Sequence, residues 1–198
     1  MRTKLILLIL AFILPGIALH AQKPKMKKIF DGKTLSGWTV PDDNIWWSAG
    51  KGVLSVQSGP DKKGSILWTE KKYEDFVVTL HFRMGDGTVD SGVFLRAESP
   101  QIQIGISGSL KRDMTASPYV PGKGYPVEAK GVKDLLKLNG WNKMKIETRA
   151  NTSTVWLNGK KVMTYTAEKM EKKGPIGLQL HGGKEMAIDF RKIKVGEL

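Results

Sequence analysis

The sequence predicts an all-β protein built as a sandwich of two antiparallel sheets. Short runs rich in Val, Ile, Leu, Phe and Trp recur between clusters of Gly, Asn, Asp and Pro. No stretch keeps a helical period of apolar residues long enough for a substantial helix. Asn158 and Gly159 separate two such runs, and this dipeptide favours a hairpin because both positions of a type I′ turn need positive φ. Short strands in this number pack as two sheets with apolar inner faces.

The predicted strands follow one another along most of the chain. Their ranges are 52–57, 64–69, 76–84, 91–97, 101–106, 142–149, 154–157, 161–166, 176–181 and 187–195, and a short helix is predicted over 132–138. In four of them, alternation separates an aliphatic row from a polar row. We expect the aliphatic rows between the sheets, where they would bury Ile102, Ile104, Ile106, Leu178 and Leu180.

The second row of these four strands is polar or aromatic. It holds His81, Arg83, Phe94, Arg96, Gln101, Gln103, Gln179 and His181. If the four strands are neighbours in one sheet, the rows form a broad face of amide, guanidinium and imidazole donors, which suits the hydroxyls of a sugar. The alternative is a face that is simply solvated, although solvated faces usually collect Lys, Glu and Thr.

The segment 107–134 has little alternation and carries several Pro and Gly residues. Such a long connection inside a compact domain is usually functional or disordered. We expect it to fold over the polar face, because it is chemically rich in Arg112, Asp113, Tyr119, Lys123 and Tyr125. Phe94, Tyr119, Tyr125 and Trp141 are candidates to stack on a sugar. Four other tryptophans are expected in core or edge packing, namely Trp38, Trp46, Trp47 and Trp68.

The first residues have the pattern of a secretory signal peptide. Arg2 and Lys4 precede an apolar run over 5–14, which is too short to span a bilayer. Cleavage is expected after Ala18 or Ala21, so we predict a signal peptide over 1–21 and a single domain over 22–198. We expect the mature protein to be soluble and either periplasmic or extracellular. The chain has no cysteine, which excludes disulfides, thiolate catalysis and a lipidated cysteine anchor.

The net charge of +13 can favour anionic partners such as nucleic acid or membrane surfaces. The lysines are scattered or lie in tails and turns, and no nucleic-acid motif accompanies them. We therefore expect no nucleic-acid partner and no membrane anchor after signal cleavage. An interaction protein that uses its basic charge remains a third alternative.

Several segments together resemble the bacterial 3-keto-disaccharide hydrolases, a family once known only as a domain of unknown function. They are 30–38 (FDGKTLSGW), 73–76 (YEDF), 90–96 (DSGVFLR), 140–142 (GWN), 156–160 (WLNGK), 174–182 (GPIGLQLHG) and 190–191 (FR). The resemblance implies a concanavalin A-like jelly roll that acts on a carbohydrate. It also implies cleavage of 3-keto-glycosides, in which the ketone acidifies the C2 proton, one base removes it, and the C1 substituent leaves.

The resemblance extends to Arg83, Arg96, Gln103, Gln179 and His181. Of the two histidines after position 21, His81 and His181, we expect His181 to be the base, because an imidazole suits this role near neutral pH and its strand carries the better family match. Arg83 and Arg96 are candidates to hold the C3 oxygen, so we expect these two arginines to converge with His181. The substrate-binding candidates are Asp90, Gln101, Gln103, Gln179, His81, Phe94, Arg112, Asp113, Tyr119, Lys123 and Trp141. Alternatively, His181 is a hydrogen-bonded structural histidine, and Arg96 forms an ion pair with Glu98 or Asp90.

The chain departs from the family pattern at its acidic positions. Asp90 stands where members usually carry Asn, while Gln101 and Ile106 stand in place of Glu and Asp. No acidic catalyst is therefore carried over, which leaves open a jelly roll that binds carbohydrate without cleaving it. The Glu-x-Asp-x-x-Glu signature of two-carboxylate glucanases does not occur. A divalent metal is conceivable at Asp90, Asp113 and His181, but their spacing does not signal one.

Overall fold

Two antiparallel sheets form the fold, as the sequence predicted. The structure is a computed structural model that describes residues 24–198. The predicted signal peptide and its cleavage sites lie outside the described residues. None of the helices within 24–198 has the length and hydropathy that crossing a membrane would need.

The strands are numbered in chain order. They are β1 (Lys27–Lys28), β2 (Trp38–Thr39), β3 (Trp47–Gly50), β4 (Val53–Gln57), β5 (Ser65–Thr69), β6 (Phe76–Gly87), β7 (Asp90–Leu95), β8 (Gln101–Gly105), β9 (Pro118–Tyr119), β10 (Asn142–Arg149), β11 (Thr152–Leu157), β12 (Lys160–Thr166), β13 (Ile176–Leu180) and β14 (Met186–Glu197). Sheet A has the order β12-β11-β10-β6-β14-β4-β3, with β1 also paired to β14. Sheet B has the order β2-β5-β13-β7-β8-β9.

The core lies between the two sheets. Phe82 and Phe190 from sheet A are fully buried in the same apolar cluster as Leu67 from sheet B. The expected burial of four aliphatic residues is confirmed, since Ile102, Ile104, Leu178 and Leu180 are at most 1% exposed. Ile106 is only half-buried, because β8 ends at Gly105, whose φ of 90° turns the chain out of the sheet.

The short elements were the ones that the sequence pattern missed. The strands β1, β2 and β9 have two residues each and β3 has four, which is too few to show an alternation. The helix α1 covers Val132–Leu135, and it ends before the predicted limit because Leu136 is extended, with ψ of 125°. The hairpin at Asn158 and Gly159 is confirmed, since both residues have positive φ.

The four polar rows do not form one face. The strands β13, β7 and β8 are neighbours in sheet B, but β6 lies in sheet A. His81 and Arg83 therefore lie on the outer side of sheet A, behind the core as viewed from sheet B. The alternation of a strand decides which of its residues share a side, whereas the sheet to which the strand belongs depends on pairing with distant segments.

Candidate functional site

The outer face of sheet B brings together many of the predicted binding residues. Alternate side chains of β13, β7 and β8 point away from the core, and we call this surface the sheet B platform. Its members are Asp90, Phe94, Gln101, Gln103, Gln179 and His181. The residues that alternate with them, such as Val93 and Ile102, are buried on the other side.

Two glutamines occupy the centre of the platform. Nε2 of Gln101 donates to Oε1 of Gln179 at 2.6 Å and to the backbone carbonyl of Ser91 at 3.3 Å. The Gln101 side chain lies directly over Gly92, where an added Cβ would collide with its amide. Glycine at position 92 therefore leaves the room that the amide pair needs.

Asp90 lies beside the glutamines and is almost completely buried. Nε2 of Gln103 donates to its Oδ1 at 2.7 Å, and Nζ of Lys184 donates to its Oδ2 at 2.5 Å. The side chain of Asp90 is 4% exposed and that of Lys184 is 20% exposed. A buried carboxylate is tolerated when charged and polar partners satisfy both oxygens. The pair thus places an ammonium group beside the amides of the platform.

Part of the long connecting segment covers this end of the platform, as expected. It closes a cavity of about 360 Å³ that is lined by Asp90, Gln101, Gln103, Gln179, His181 and Lys184 below, and by Ser107, Gly108, Ser109, Lys111, Tyr119 and Tyr125 above. The rings of Tyr119 and Tyr125 lie 5.3 Å apart. Burial raises the pKa of the Tyr125 hydroxyl, and a hydrogen bond with Ser107 partly opposes this shift. The cavity therefore combines aromatic walls with a polar floor.

The other end of the platform is aromatic. The rings of Trp68 and Phe94 lie 5.5 Å apart, and Trp68 covers Gly177, where an added Cβ would come within 2.6 Å of the indole. Trp68 also lines an open hollow of about 420 Å³ that shares Gln179 and His181 with the first cavity. Trp68, which we expected in core or edge packing, packs against Phe94 and Gly177 on the outer side of sheet B.

His181 stands where the cavity and the open hollow meet. Its side chain is exposed, and Nδ1 lies 2.7 Å from the carbonyl oxygen of Gly182. A carbonyl oxygen can only accept, so this contact assigns the proton of the neutral ring to Nδ1. Nε2 then carries the free lone pair, which is the form that a general base requires.

Comparison with known proteins places the chain in a family. The sequence model for 3-keto-alpha-glucoside-1,2-lyase-like domains matches residues 25–196. The chain belongs to this family. No curated protein matches it. A solved structure from Parabacteroides distasonis ATCC 8503, provisionally named a glycosyl hydrolase, is 25% identical, with a TM-score of 0.64 over 88% of this chain and 100% of that one.

Other solved structures share the fold. The carbohydrate-binding module CBM66 from Bacillus subtilis is 15% identical, with a TM-score of 0.57 over 81% of this chain and 96% of that one. The carbohydrate recognition domain of Emp47p is 13% identical, with a TM-score of 0.53 over 82% and 89% of the two chains. The expected concanavalin A-like jelly roll is thus confirmed for this lyase-like domain, and its fold is one that carbohydrate-binding domains use.

In this lyase-like domain Arg96 does not reach the platform. Its side chain is 1% exposed and donates to the carbonyl oxygens of Glu74 at 2.5 Å, Ala150 at 2.8 Å and Glu171 at 3.0 Å. It also pairs with Asp75 at 2.9 Å, and burial lowers its pKa although that carboxylate opposes the shift. Arg96 follows the last residue of β7 with φ of 69°, which turns its side chain out of the platform row. Neither Glu98 nor Asp90 is its partner.

Arg83, His81 and Trp141 lie on the opposite side of the sandwich. Arg83 pairs with Asp189 at 2.7 Å on the outer face of sheet A, and its guanidinium lies 4.9 Å from the centre of the Trp141 ring. His81 is on the same face, in register with Arg191 of β14. The predicted convergence of His181, Arg83 and Arg96 is therefore wrong, and His81 and Trp141 are also separated from the platform by the core.

Three predicted residues of the long segment do not line the cavity. Arg112 forms a two-pronged ion pair with Glu128, at 2.6 and 2.7 Å, and Lys123 pairs with Glu168. Asp113 accepts a hydrogen bond from the Thr115 hydroxyl at 2.7 Å and is not part of the platform. Residues 24–198 contain no cluster of three or more His, Asp or Glu that could hold a metal ion.

Sequence reasoning missed several cavity residues. Lys184 was not predicted, although it follows His181 by three positions in the turn between β13 and β14. The others are Ser107, Ser109 and Lys111, which begin the long segment directly after β8. Residues in the loop or turn directly after a strand with a polar row are candidates for the same site. This rule would have found all four residues.

A larger cavity lies at the end of the sandwich, between the α1 region and the β6–β7 turn. It measures about 700 Å³, and most of its lining is apolar, including Met84, Val132 and Leu136. Of its two carboxylates, Asp113 accepts a hydrogen bond from Thr115 and Glu128 forms an ion pair with Arg112. We place the functional site at the smaller cavity, because there three glutamine amides, a histidine and an ammonium group converge.

Proposed function

We propose that the platform and its cavity bind an oxidised glycoside and cleave it. The reaction would be C2 proton abstraction followed by elimination at C1, on a substrate with a ketone at C3. The observation that carries the proposal is the exposed His181, whose Nδ1 is held by a carbonyl oxygen, at a cavity lined by amides and the Lys184 ammonium, in a chain of the lyase-like family.

The platform offers each contact that a sugar needs. Gln101 and Gln179 bond to each other through Nε2 of Gln101 and Oε1 of Gln179, which leaves Oε1 of Gln101 and Nε2 of Gln179 for the hydroxyl groups of a sugar. Tyr119 and Tyr125 at one end, and Trp68 at the other, present aromatic surface for the C–H face of a ring. A glycoside could thus place one sugar in the cavity and its leaving group in the open hollow beside Trp68.

The chemical step needs one base and one stabilising charge. Nε2 of His181 takes the C2 proton, and the electrons of that C–H bond pass towards the C3 oxygen as an enolate. The enolate then forms the C1–C2 double bond while the C1–O bond breaks, and the departing oxygen takes up a proton. Lys184 is suited to hold the charge on the C3 oxygen, the role that the sequence had assigned to two arginines.

A second candidate function is carbohydrate binding without turnover. Asp90 is the one acidic residue among the described residues that line the cavity, and Gln103 and Lys184 already satisfy its two oxygens. A glycosidase mechanism with two free carboxylates therefore has no support in the described part of the chain. A domain that had lost turnover would keep the amides and the aromatic walls.

One experiment separates these functions. The purified protein is incubated with a chromogenic 3-keto-glucoside, release of the aglycone is followed by absorbance, and binding of the unoxidised glucoside is measured by calorimetry. Release above the spontaneous rate supports the lyase function. Binding without release favours the second candidate. If the protein neither binds the glucoside nor releases the aglycone, both candidates are contradicted.

We also propose that the protein acts outside the cytoplasm. The basic start, the apolar run and the small residues before position 22 support export. Mass spectrometry of the protein recovered from the periplasm or medium of the expressing cell should find Leu19 or Gln22 as the first residue. An intact Met1 on protein from either compartment would contradict this proposal.

A further inference from the structure

The outer face of sheet A carries a row of cations that crosses most of the sheet. The registers of β12, β11, β10, β6, β14 and β1 align Lys161, Trp156, Lys145, Thr79, Lys194 and Lys28. A neighbouring row aligns Lys143, His81 and Arg191. We call these two rows together the basic face. They lie on the side of the sandwich away from the sheet B platform.

Much of this charge has no local partner. Lys28, Lys143, Lys161, Arg191 and Lys194 form no ion pair with any residue of 24–198. The nearby acids are occupied elsewhere on the face, since Asp189 pairs with Arg83 at 2.7 Å, and Glu147 pairs with Arg149 at 2.8 Å and more loosely with Lys145 at 3.9 Å.

Three cations also lie close enough to His81 to act on the pKa of its imidazole. Partial burial lowers the pKa of its imidazole most, and the nearby Lys192, Arg191 and Lys143 lower it further. Each of these cations disfavours a further positive charge at the ring. The basic face is therefore a surface of concentrated positive potential, not a set of charges that cancel one another.

We propose that the basic face binds an acidic polysaccharide, a chain of sugars that carries carboxylate or sulfate groups. Neighbouring strands lie about 4.8 Å apart, so Lys161, Lys145 and Lys194, on alternate strands, are spaced by roughly 10 Å. The row crosses six strands and spans about 24 Å. A long, extended polyanion with spaced charges can contact all of these cations at once, and it gains affinity by releasing counterions.

The aromatic residues favour a glycan over a single-stranded nucleic acid. Proteins that bind single strands offer open aromatic rings on which the bases stack. Here Nζ of Lys145 lies 3.6 Å from the centre of the Trp156 ring, and Arg191 lies 3.9 Å from that of Trp141. The guanidinium of Arg83 also lies over Trp141. These rings hold cations in place, so the face offers fixed positive charges and not stacking sites.

The test removes the unpaired charges of the basic face. The triple variant Lys143→Gln, Lys161→Gln and Lys194→Gln replaces each ammonium group with a neutral polar amide and leaves the platform untouched. A matched control loses three exposed, unpaired lysines elsewhere, through Lys72→Gln, Lys130→Gln and Lys169→Gln. Dissociation constants are measured for heparin, polygalacturonate, neutral dextran and single-stranded oligo(dT), each at about 50 and about 200 mM salt.

We expect the wild type to bind heparin or polygalacturonate, and to bind it more weakly at the higher salt. Dextran should not bind. The triple variant should bind the acidic polymer about tenfold more weakly, and the control should stay within about twofold of the wild type. Whichever acidic polymer binds identifies the charged group. Equal losses in both variants, or no binding of either polymer at low salt, overturn the proposal. If the wild type binds oligo(dT) as tightly as the acidic polysaccharide, and the triple variant weakens both by the same factor, the face is assigned to nucleic acid instead.

Discussion

Nζ of Lys184 lies 2.5 Å from Oδ2 of Asp90, although 94 positions separate the two residues in the chain. The contact joins the start of β7 to the turn before β14, and both groups line the cavity on the sheet B platform. Because Asp90 is buried, its charge depends on this partner and on Gln103. The pair therefore serves the stability of the platform as well as its electrostatics.

Removing one charge of the Asp90–Lys184 pair should lower the free energy of unfolding more than removing both charges. Lys184→Met leaves the carboxylate buried without its counter-ion, and we expect the free energy of unfolding to fall by about 3 kcal/mol. The double variant Asp90→Asn with Lys184→Met should recover most of that loss. Urea denaturation of the single and double variants measures the coupling. Lys63→Met, which breaks the exposed pair with Asp43, is the control and should lower the free energy of unfolding far less than Lys184→Met does. Additive effects of the two platform substitutions would contradict the prediction.

Replacement of His181 should lower turnover without loss of the fold. His181→Ala removes an exposed side chain, so the unfolding midpoint should stay close to that of the wild type. If Nε2 takes the C2 proton, kcat on a 3-keto-glucoside should fall roughly a hundredfold or more. His81→Ala makes the same change on the outer face of sheet A and should leave kcat unaltered. A His181→Ala protein with wild-type kcat would remove this residue from the mechanism.

Arg96 should matter for stability far more than Arg83. Arg96→Met withdraws donors from three backbone carbonyls and from Asp75, and we expect a loss of about 3–5 kcal/mol in the free energy of unfolding. Arg83→Met breaks an exposed pair and should cost about 1 kcal/mol or less. Denaturant titrations of the two variants compare them directly. Similar losses in both would show that the buried arginine does not hold these loops together.

His81 should make the protein less stable in mild acid. Burial and the nearby cations lower its pKa in the folded state, so between pH 7 and pH 5 the unfolded chain binds the proton more readily. The contribution of His81 to stability is therefore present above the ordinary histidine pKa and is lost as the pH falls. From pH 7 to pH 5 the unfolding free energy of the wild type should fall by more than that of His81→Gln. A constant difference between them would count against the prediction.

The inner face of the sandwich could be predicted because it depends on local alternation. Leu178 and Ile102 point inward as the period of two requires, and Gln179 and Gln103 consequently point outward. The same reasoning placed His81 correctly on the outer side of its own strand. It could not tell that β6 belongs to sheet A, since that depends on pairing with β10 and β14, whose paired residues lie 60 or more positions further along the chain.

The candidate site was predicted in part for a related reason. Gln101, Gln103, Gln179, Asp90 and His181 meet in the cavity because they lie on neighbouring strands of sheet B. Arg96 follows the same alternation by sequence, but its positive φ redirects the side chain, and a single arginine gives no sign of this in the sequence. Lys184 lies in a turn, where alternation gives no information, and only its position three residues after His181 could have indicated it.

The position of β14 has a consequence for how the chain acquires its structure during synthesis. This strand lies between β6 and β4 in the middle of sheet A, and it also pairs with β1. Until the ribosome has made the residues from 186 onward, β6 and β4 lack the strand that lies between them, and sheet A is incomplete. Folding must then wait for contacts that span most of the chain, which is slow. Such a delay would keep the nascent polypeptide unfolded, the state in which a narrow export channel could accept it.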